Sequence, residues 1–259
     1  MLKTDQKQFH VPVCPGEIGE YCILPGAPER VEQIARFLEN PVFVAQNREY
    51  NVWNGTLCGK TVTVCSTGIG GPSAAIAVEE LAACGARTMI RVGTCGGIAL
   101  SVRSGHAVIA SGAVRQDGTS HEYAPPEFPA VADPAVLFAL MQAAEKLEIP
   151  SHAGVVQSKD AFYGQHAPQK MPTCAALLEK WEAWKRLGVL ASEMEASTLF
   201  TVGAARALRT GAVFHVIWNQ ERAAAGLDTD AEEDHDTSKA IRIAVEAIRI
   251  LMEKDEKGA

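Results

Sequence analysis

Arg91 stands inside an apolar run, Met89-Ile-Arg-Val92, that reads as a buried strand. A buried guanidinium needs a partner, which is either a protein carboxylate or a bound anion. Thr94 and the glycines of Gly93-Thr-Cys-Gly-Gly97 add a hydroxyl and open backbone just beyond it. A second cation, Arg30, closes the turn Pro25-Gly-Ala-Pro-Glu-Arg30 after another short apolar run. Gly26 lets the backbone come close to a ligand, a helix start offers N–H groups, and an arginine fork clamps an anion. The acids Glu193 and Glu195 flank Met194 at the head of an apolar stretch, Ala191 to Ala207, that reads as a helix. Two carboxylates two residues apart do not share a helical face. One is expected to cap or pair while the other points into a site; the bland reading is a solvated first turn. The run Thr67-Gly-Ile-Gly-Gly-Pro-Ser73 lacks the third glycine of a dinucleotide fingerprint, and its glycines read instead as permitting close helix–strand packing. There is no phosphate-cradling P-loop and no G-x-S-x-G nucleophile elbow.

These residues need elements to hold them. Val- and Ile-rich runs predict strands at Tyr21–Leu24, Thr61–Cys65, Met89–Val92, His106–Ala110, Ala153–Val156 and Ala212–Trp218. Asp133 followed by Pro134 predicts a capped helix whose apolar face carries Val136, Leu137, Leu140, Met141, Ala144 and Leu147. Pro72–Leu81 predicts a second helix, stopped at Gly85. A last helix carries Ile241, Val245, Ile248 and Leu251, with Glu253–Ala259 expected as a frayed tail. Ala223–Asp236 is small and acidic and reads as an exposed loop. Strands alternating with helices imply an α/β sandwich around a mixed, largely buried sheet, with all 259 residues in one domain.

Composition sets limits. Hydrophobic residues make up 47%, enough for a large core at this length. The net charge of −7 argues against a nucleic-acid partner, since phosphate backbones demand clustered Lys and Arg. Seven cysteines without a C-x-x-C pair suit a reducing compartment and give no zinc signature. The segment Met1–His10 has no apolar signal core, and no apolar run is long enough for a bilayer. The expectation is a cytoplasmic protein with no membrane partner.

From Phe9 to about Leu251 the chain resembles the nucleoside phosphorylase superfamily with one-domain α/β/α subunits, and within it the uridine phosphorylases. The resemblance is carried, in order, by Phe9-His10, Pro25–Arg30, Asn47-Arg-Glu49, Ser66–Ser73, Arg91-Val-Gly-Thr94, Phe128–Asp133, Asp160-Ala-Phe-Tyr163 and Glu193-Met-Glu195. It implies a single-domain three-layer α/β/α sandwich with a central mixed, twisted sheet. It also implies an enzyme that uses inorganic phosphate to split uridine into uracil and ribose 1-phosphate, with no cofactor. In such enzymes Gly26, Arg30, Arg91 and Thr94 would hold phosphate, with Arg48 completing the cage from a neighbouring subunit. Met194, Glu195 and Glu193 would serve the ribose, with His10 reaching in from the neighbour. Phe162 and Gln165 would meet the base, and Arg91, Glu195 and Gln165 would carry the catalysis. Glu49, Ile69 and Ser73 match a monovalent-cation (K+) site at the dimer interface of some relatives. The implied assembly is a homo-oligomer of dimers, a hexamer.

Two departures from the pattern bear on the substrate. The familiar base loop carries a Gln-x-Arg pair; here it reads Phe162-Tyr-Gly-Gln-His-Ala-Pro-Gln-Lys170, one residue shorter, with Ala167 at the arginine's place. Lys170, Arg222 and His166 stand as candidates to replace that cation. Purine-cleaving relatives place an aspartate near Asn219, and an asparagine cannot protonate a leaving base. The pattern therefore favours a pyrimidine. A purine nucleoside phosphorylase, a nucleosidase and a non-catalytic nucleoside-binding protein remain as competing readings. The phosphate-type arginines count against a nucleosidase.

Overall fold

A computed structural model describes residues 6–228 and 233–258. In chain order the elements are β1 (Tyr21–Pro25), α1 (Glu29–Ala35), β2 (Glu39–Asn47), β3 (Tyr50–Leu57), β4 (Lys60–Cys65), α2 (Gly71–Ala83) and β5 (Thr88–Gly97). Then come β6 (Ala107–Gln116), α3 (Thr119–Tyr123), β7 (Ala130–Val131), α4 (Pro134–Lys146), β8 (Ser151–Lys159), α5 (Phe162–His166) and α6 (Cys174–Arg186). The chain closes with β9 (Ala191–Glu193), α7 (Ala196–Ala205), β10 (Arg209–Asn219), α8 (Gln220–Ala224) and α9 (Ser238–Gly258).

Strand alternation sorts side chains into two cores. Tyr21, Ile23, Val62, Val64, Ile90 and Val92 pack with α1, α4 and α9. Cys22, Leu24, Cys65 and Met89 face the other way, onto α2 and α7. This is the expected sandwich, helices on both faces of a mixed sheet. The strands run β10-β6-β8-β9-β5-β1-β4-β3-β2. Because β10 also pairs with β5, the first five of these strands close on themselves into a ring, with β1, β4, β3 and β2 as an extension. Arg91 lies between Ile90 and Val92, so alternation turns its side chain to the α2/α7 side.

All six expected strands exist, mostly longer than their apolar cores. Asp133 caps α4 through Val136 N–H at 3.1 Å. The β2–β3 hairpin was not expected. The β2 residues Glu39–Phe43 are exposed and include Pro41, so they carry no two-residue pattern. Two further expectations need correction. Ala191–Glu193 is a strand, held between β5 and β8, and the helix begins only at Ala196 with Glu195 as its cap. The C-terminal tail is helical to Gly258, because Asp255 is tied to Arg209 and to Tyr21. Within the loop expected over Ala223–Asp236, residues 223 and 224 close α8, and residues 229–232 lie outside the described ones. No helix among the described residues is long and apolar enough to cross a membrane.

Candidate active site

The C-terminal ends of β1, β5, β8 and β9 converge on a cavity of about 930 Å³. Gly26, Arg30, Arg91, Thr94, Phe162, Glu193, Met194 and Glu195 all line it, as do Glu49, Ile69 and Ser73. Residues 165 positions apart in sequence, Arg30 and Glu195, thus share one cavity: Arg30 follows β1, which runs parallel to β5, and Glu195 follows β9, which pairs antiparallel with the last residues of β5.

Arg91 is 6% exposed. Its Nη2 donates to Glu195 Oε2 at 2.5 Å and its Nη1 to Thr67 Oγ1 at 3.0 Å. Its Nε is buried and makes no hydrogen bond among the described residues; the Glu193 carboxylate is 4.0 Å away. Arg91 therefore has its carboxylate partner within the protein, and the residue also lines the cavity where an anion is expected. Gly26 sits against it, since a Cβ there would stand 3.3 Å from Arg91 Nη2 and 3.4 Å from the Gly68 carbonyl. Partial burial, and then the charge of Arg91, lower the Arg30 pKa. Two neighbouring guanidiniums on one cavity are of the type that suits a divalent anion.

The acids are organised around α7. The Glu193 carboxylate accepts the N–H groups of Glu195 at 2.8 Å and Ala196 at 3.0 Å, and also the Ser158 hydroxyl. Burial, reinforced by the Glu195 charge, pushes Glu193 up to about 7. Glu193 thus fixes the helix start while Glu195 turns into the cavity. Glu195 Oε1 takes the Gly70 N–H at 2.6 Å. Gly70 has φ +88° there, a conformation open to glycine. The adjoining Gly71 packs so closely that a Cβ would meet Thr198 Oγ1 at 2.6 Å, which is the tight helix packing expected of this run.

Other site residues lie apart. Arg48, at the β2–β3 turn with φ +51°, is exposed and does not line this cavity. His10 is held by Glu80, through its N–H at 2.9 Å and Nδ1 at 2.8 Å, also outside the cavity. Glu49 and Ser73 are joined at 2.8 Å, and the Ser73 hydroxyl also touches the Thr67 carbonyl. This carboxylate-and-hydroxyl donor set is of the type that suits a hard cation. Among the described residues no cluster of three His, Cys, Asp or Glu could hold a metal.

At the base-loop end a second cavity of about 570 Å³ adjoins the first, and Lys159, His166 and Trp218 line both. Gln165 lines it too, with Nε2 on Gln220 at 3.3 Å and a buried Oε1 that makes no hydrogen bond among the described residues. The structure turns two cation candidates away from this end. Arg222 is clamped on Asp228 at 2.5 and 2.7 Å and on the Leu100 carbonyl at 2.6 Å, and lines neither cavity. Lys170 lies exposed in a short 3-10 turn and also lines neither. Asn219 is buried. It caps α8 with Oδ1 and donates to the Ala99 and Val102 carbonyls, so its polar groups are all engaged in the fold. Lys159, at the end of β8, was missed in the sequence. A charged residue closing an apolar strand just before Asp160-Ala-Phe162 was the available signal.

Comparison with known proteins now bears on this geometry. The model of the phosphorylase superfamily matches residues 20–253. The chain belongs to that family. It is 52% identical to a uridine phosphorylase of Treponema pallidum (strain Nichols), over 96% of this chain and 95% of that protein. It is 42% identical to a uridine phosphorylase of Klebsiella aerogenes, over 97% of this chain and the whole of that protein. It is also 39% identical to a guanosine phosphorylase of Halorubrum lacusprofundi, over 95% of this chain and 99% of that protein.

Proposed function

We propose that the chain catalyses phosphorolysis of uridine to uracil and ribose 1-phosphate. The observation that carries this reading is the convergence of Arg30 and Arg91 on one cavity with Glu195 and Met194. Phosphate lies against the Gly26 backbone, Arg30, Arg91 and Thr94. Ribose lies over Met194, its hydroxyls on the Glu195 carboxylate. A phosphate oxygen bonds to C1′ as the C1′–N1 bond breaks, and the bonding pair leaves with the uracil ring. The sugar passes through an oxocarbenium-like state, which the phosphate dianion and Glu195 stabilise. Glu193 acts through Glu195 by holding the start of α7. Gln165 and Phe162 position the base, and much of the rate gain is alignment of two substrates.

The reading extends to assembly. Arg48 and His10 lie outside their own cavity; Phe9, whose ring packs on His10 at 4.7 Å, is exposed, and so is Ile69, which lines the cavity. A second subunit covering that face brings them to its neighbour's site, and three such dimers make the hexamer. Glu49 and Ser73, with Ile69, hold K+ at that interface, and the unpaired cysteines suit the cytoplasm. The test is a phosphate-dependent assay over uridine, thymidine, inosine and guanosine, with ribose 1-phosphate measured. Uridine cleavage only in the presence of phosphate is expected. Cleavage without phosphate, or of inosine or guanosine with uridine untouched, overturns the assignment.

A further inference from the structure

The base loop lacks the arginine of its relatives' pattern, yet a departing pyrimidine still carries negative charge on its carbonyl oxygens. Burial singles out one cation at that end of the cavity. Lys159 is 5% exposed, sits at the boundary of the two cavities, and has its ammonium 6.0 Å from the Phe162 ring centroid. Its one hydrogen bond among the described residues is to Ser192 Oγ at 2.7 Å, and no carboxylate of theirs lies within ion-pair distance. An ammonium has three donors. The Ser192 hydroxyl points away, to Gln157 Oε1 at 2.7 Å, and Gln157 in turn donates to Gln116 at 2.7 Å. That chain turns the Ser192 lone pairs toward Lys159 and fixes its ammonium in place.

A buried lysine without a bonded carboxylate is costly in a fold. Its surroundings suggest the ligand that offsets the cost. Beside it stand the buried Gln165 Oε1, an acceptor, and the buried Trp218 Nε1, a donor, neither hydrogen-bonded among the described residues. One acceptor and two donors on the same cavity are the group types that complement the N–H and two carbonyls on the edge of a uracil ring. His166, the remaining candidate, has its pKa lowered by burial and then by Lys159, which biases it to the neutral form.

We propose that Lys159 is a catalytic residue whose ammonium donates a hydrogen bond to a carbonyl oxygen of the departing pyrimidine. This rests on the phosphorolytic reading above. As C1′–N1 breaks, the electron pair spreads over the base and onto that oxygen, where the fixed cation stabilises it. The lysine keeps its proton, and the released uracil anion takes one from water. Burial lowers the Lys159 pKa to about 8, opposed by Glu193, Glu195 and Cys95. The group therefore remains mostly charged at neutral pH, and a weaker-base amine is the stronger donor.

The test uses K159A and K159M in the full chain, with uridine and 5-fluorouridine as substrates. Fluorine makes the leaving base more acidic, so it needs less help. We expect kcat/KM for uridine to fall on the order of 100-fold. The loss for 5-fluorouridine should be several-fold smaller, and KM for phosphate should stay within about twofold. Methylammonium should restore part of the K159A activity, saturably, and none of that of K159M, where the side chain fills the space. Equal losses on both substrates, or full uridine activity in either variant, overturn the assignment. Should K159A fail to fold, K159M and the substrate comparison decide alone. If the wild-type protein itself shows no phosphate-dependent uridine cleavage, the phosphorolytic reading fails first and the Lys159 role with it. If the wild type is active and K159M equally so, Lys159 alone is refuted.

Discussion

Replacing Arg91 by methionine separates its two duties, holding phosphate and neutralising buried acids. The structure assigns Nη2 to Glu195 at 2.5 Å and Nη1 to Thr67 at 3.0 Å, while the residue lines the cavity. Loss of one charge-assisted clamp on the reacting phosphate is worth about 3 kcal/mol, or roughly 150-fold in kcat/KM for phosphate. A second effect falls on stability. Without Arg91, Glu193 and Glu195 face each other buried and without this cation, and breaking such a pair costs on the order of 3–5 kcal/mol if both acids stay ionised. Arg91 is one of the influences that lower Glu193, which already sits at about 7, so in R91M it should take up a proton more readily still. The stability loss should therefore be small at pH 5.5 and grow toward pH 8. Two measurements check this: phosphate kinetics at neutral pH, and thermal melting across that pH range. The double variant R91M/E195Q should regain melting temperature at pH 8 and no activity. Wild-type phosphate kinetics in R91M, or a pH-independent loss that E195Q does not recover, would refute the reasoning.

Mixing separately inactive R48A and R91M proteins should restore part of the activity through hybrid sites, measured after subunit exchange; no recovery despite mixed oligomers would place Arg48 outside its neighbour's site. His106 and His152 touch at 2.9 Å, and burial lowers both pKa values below the usual 6.5. The unfolded chain then binds more protons below that value, so the stability these groups contribute is complete above pH 6.5 and lost as pH falls. Melting temperature should decline less steeply from pH 6.5 to 5 in H152Q than in wild type, and an identical slope would contradict the pair's role. Asp255 accepts both Arg209 Nη groups, at 2.9 and 2.7 Å, on a partly exposed surface. D255N should destabilise by about 1 kcal/mol, seen in denaturant unfolding.

The sheet was legible because Val and Ile concentrate in strands buried on both faces. The cavity residues Arg30 and Arg91 stood out in the sequence because an arginine inside an apolar run, and another after a Pro-Gly turn, are each anomalous in isolation. What escaped was set by tertiary pairing. Ala191–Glu193 is a strand because β5 and β8 flank it, and nothing in Ala-Ser-Glu announces that. Arg222 looked like a spare cation because its partner, Asp228, lies six residues on, beyond any helical spacing. Lys159 escaped notice because the last four residues of β8 are all buried, which removes the alternation that would have placed it inside.

The two ends of the site therefore differ in how much they constrain the sequence. In the proposed reaction phosphate is one rigid dianion, and the end of the cavity assigned to it is lined by backbone, two arginines and a carboxylate at the ends of strands and the starts of α1 and α7. The base end is built on α5 and the strand ends beside it, where Ala167 stands in the place of an arginine and Arg222 has a structural partner. A cation there has only to reach a carbonyl oxygen, which it can do from any neighbouring strand end. The β8 terminus is one such place, and the Ser192–Gln157–Gln116 chain holds its ammonium there. In the proposed mechanism the substrate class is thereby kept while the cation that serves it comes from the sheet rather than from the loop.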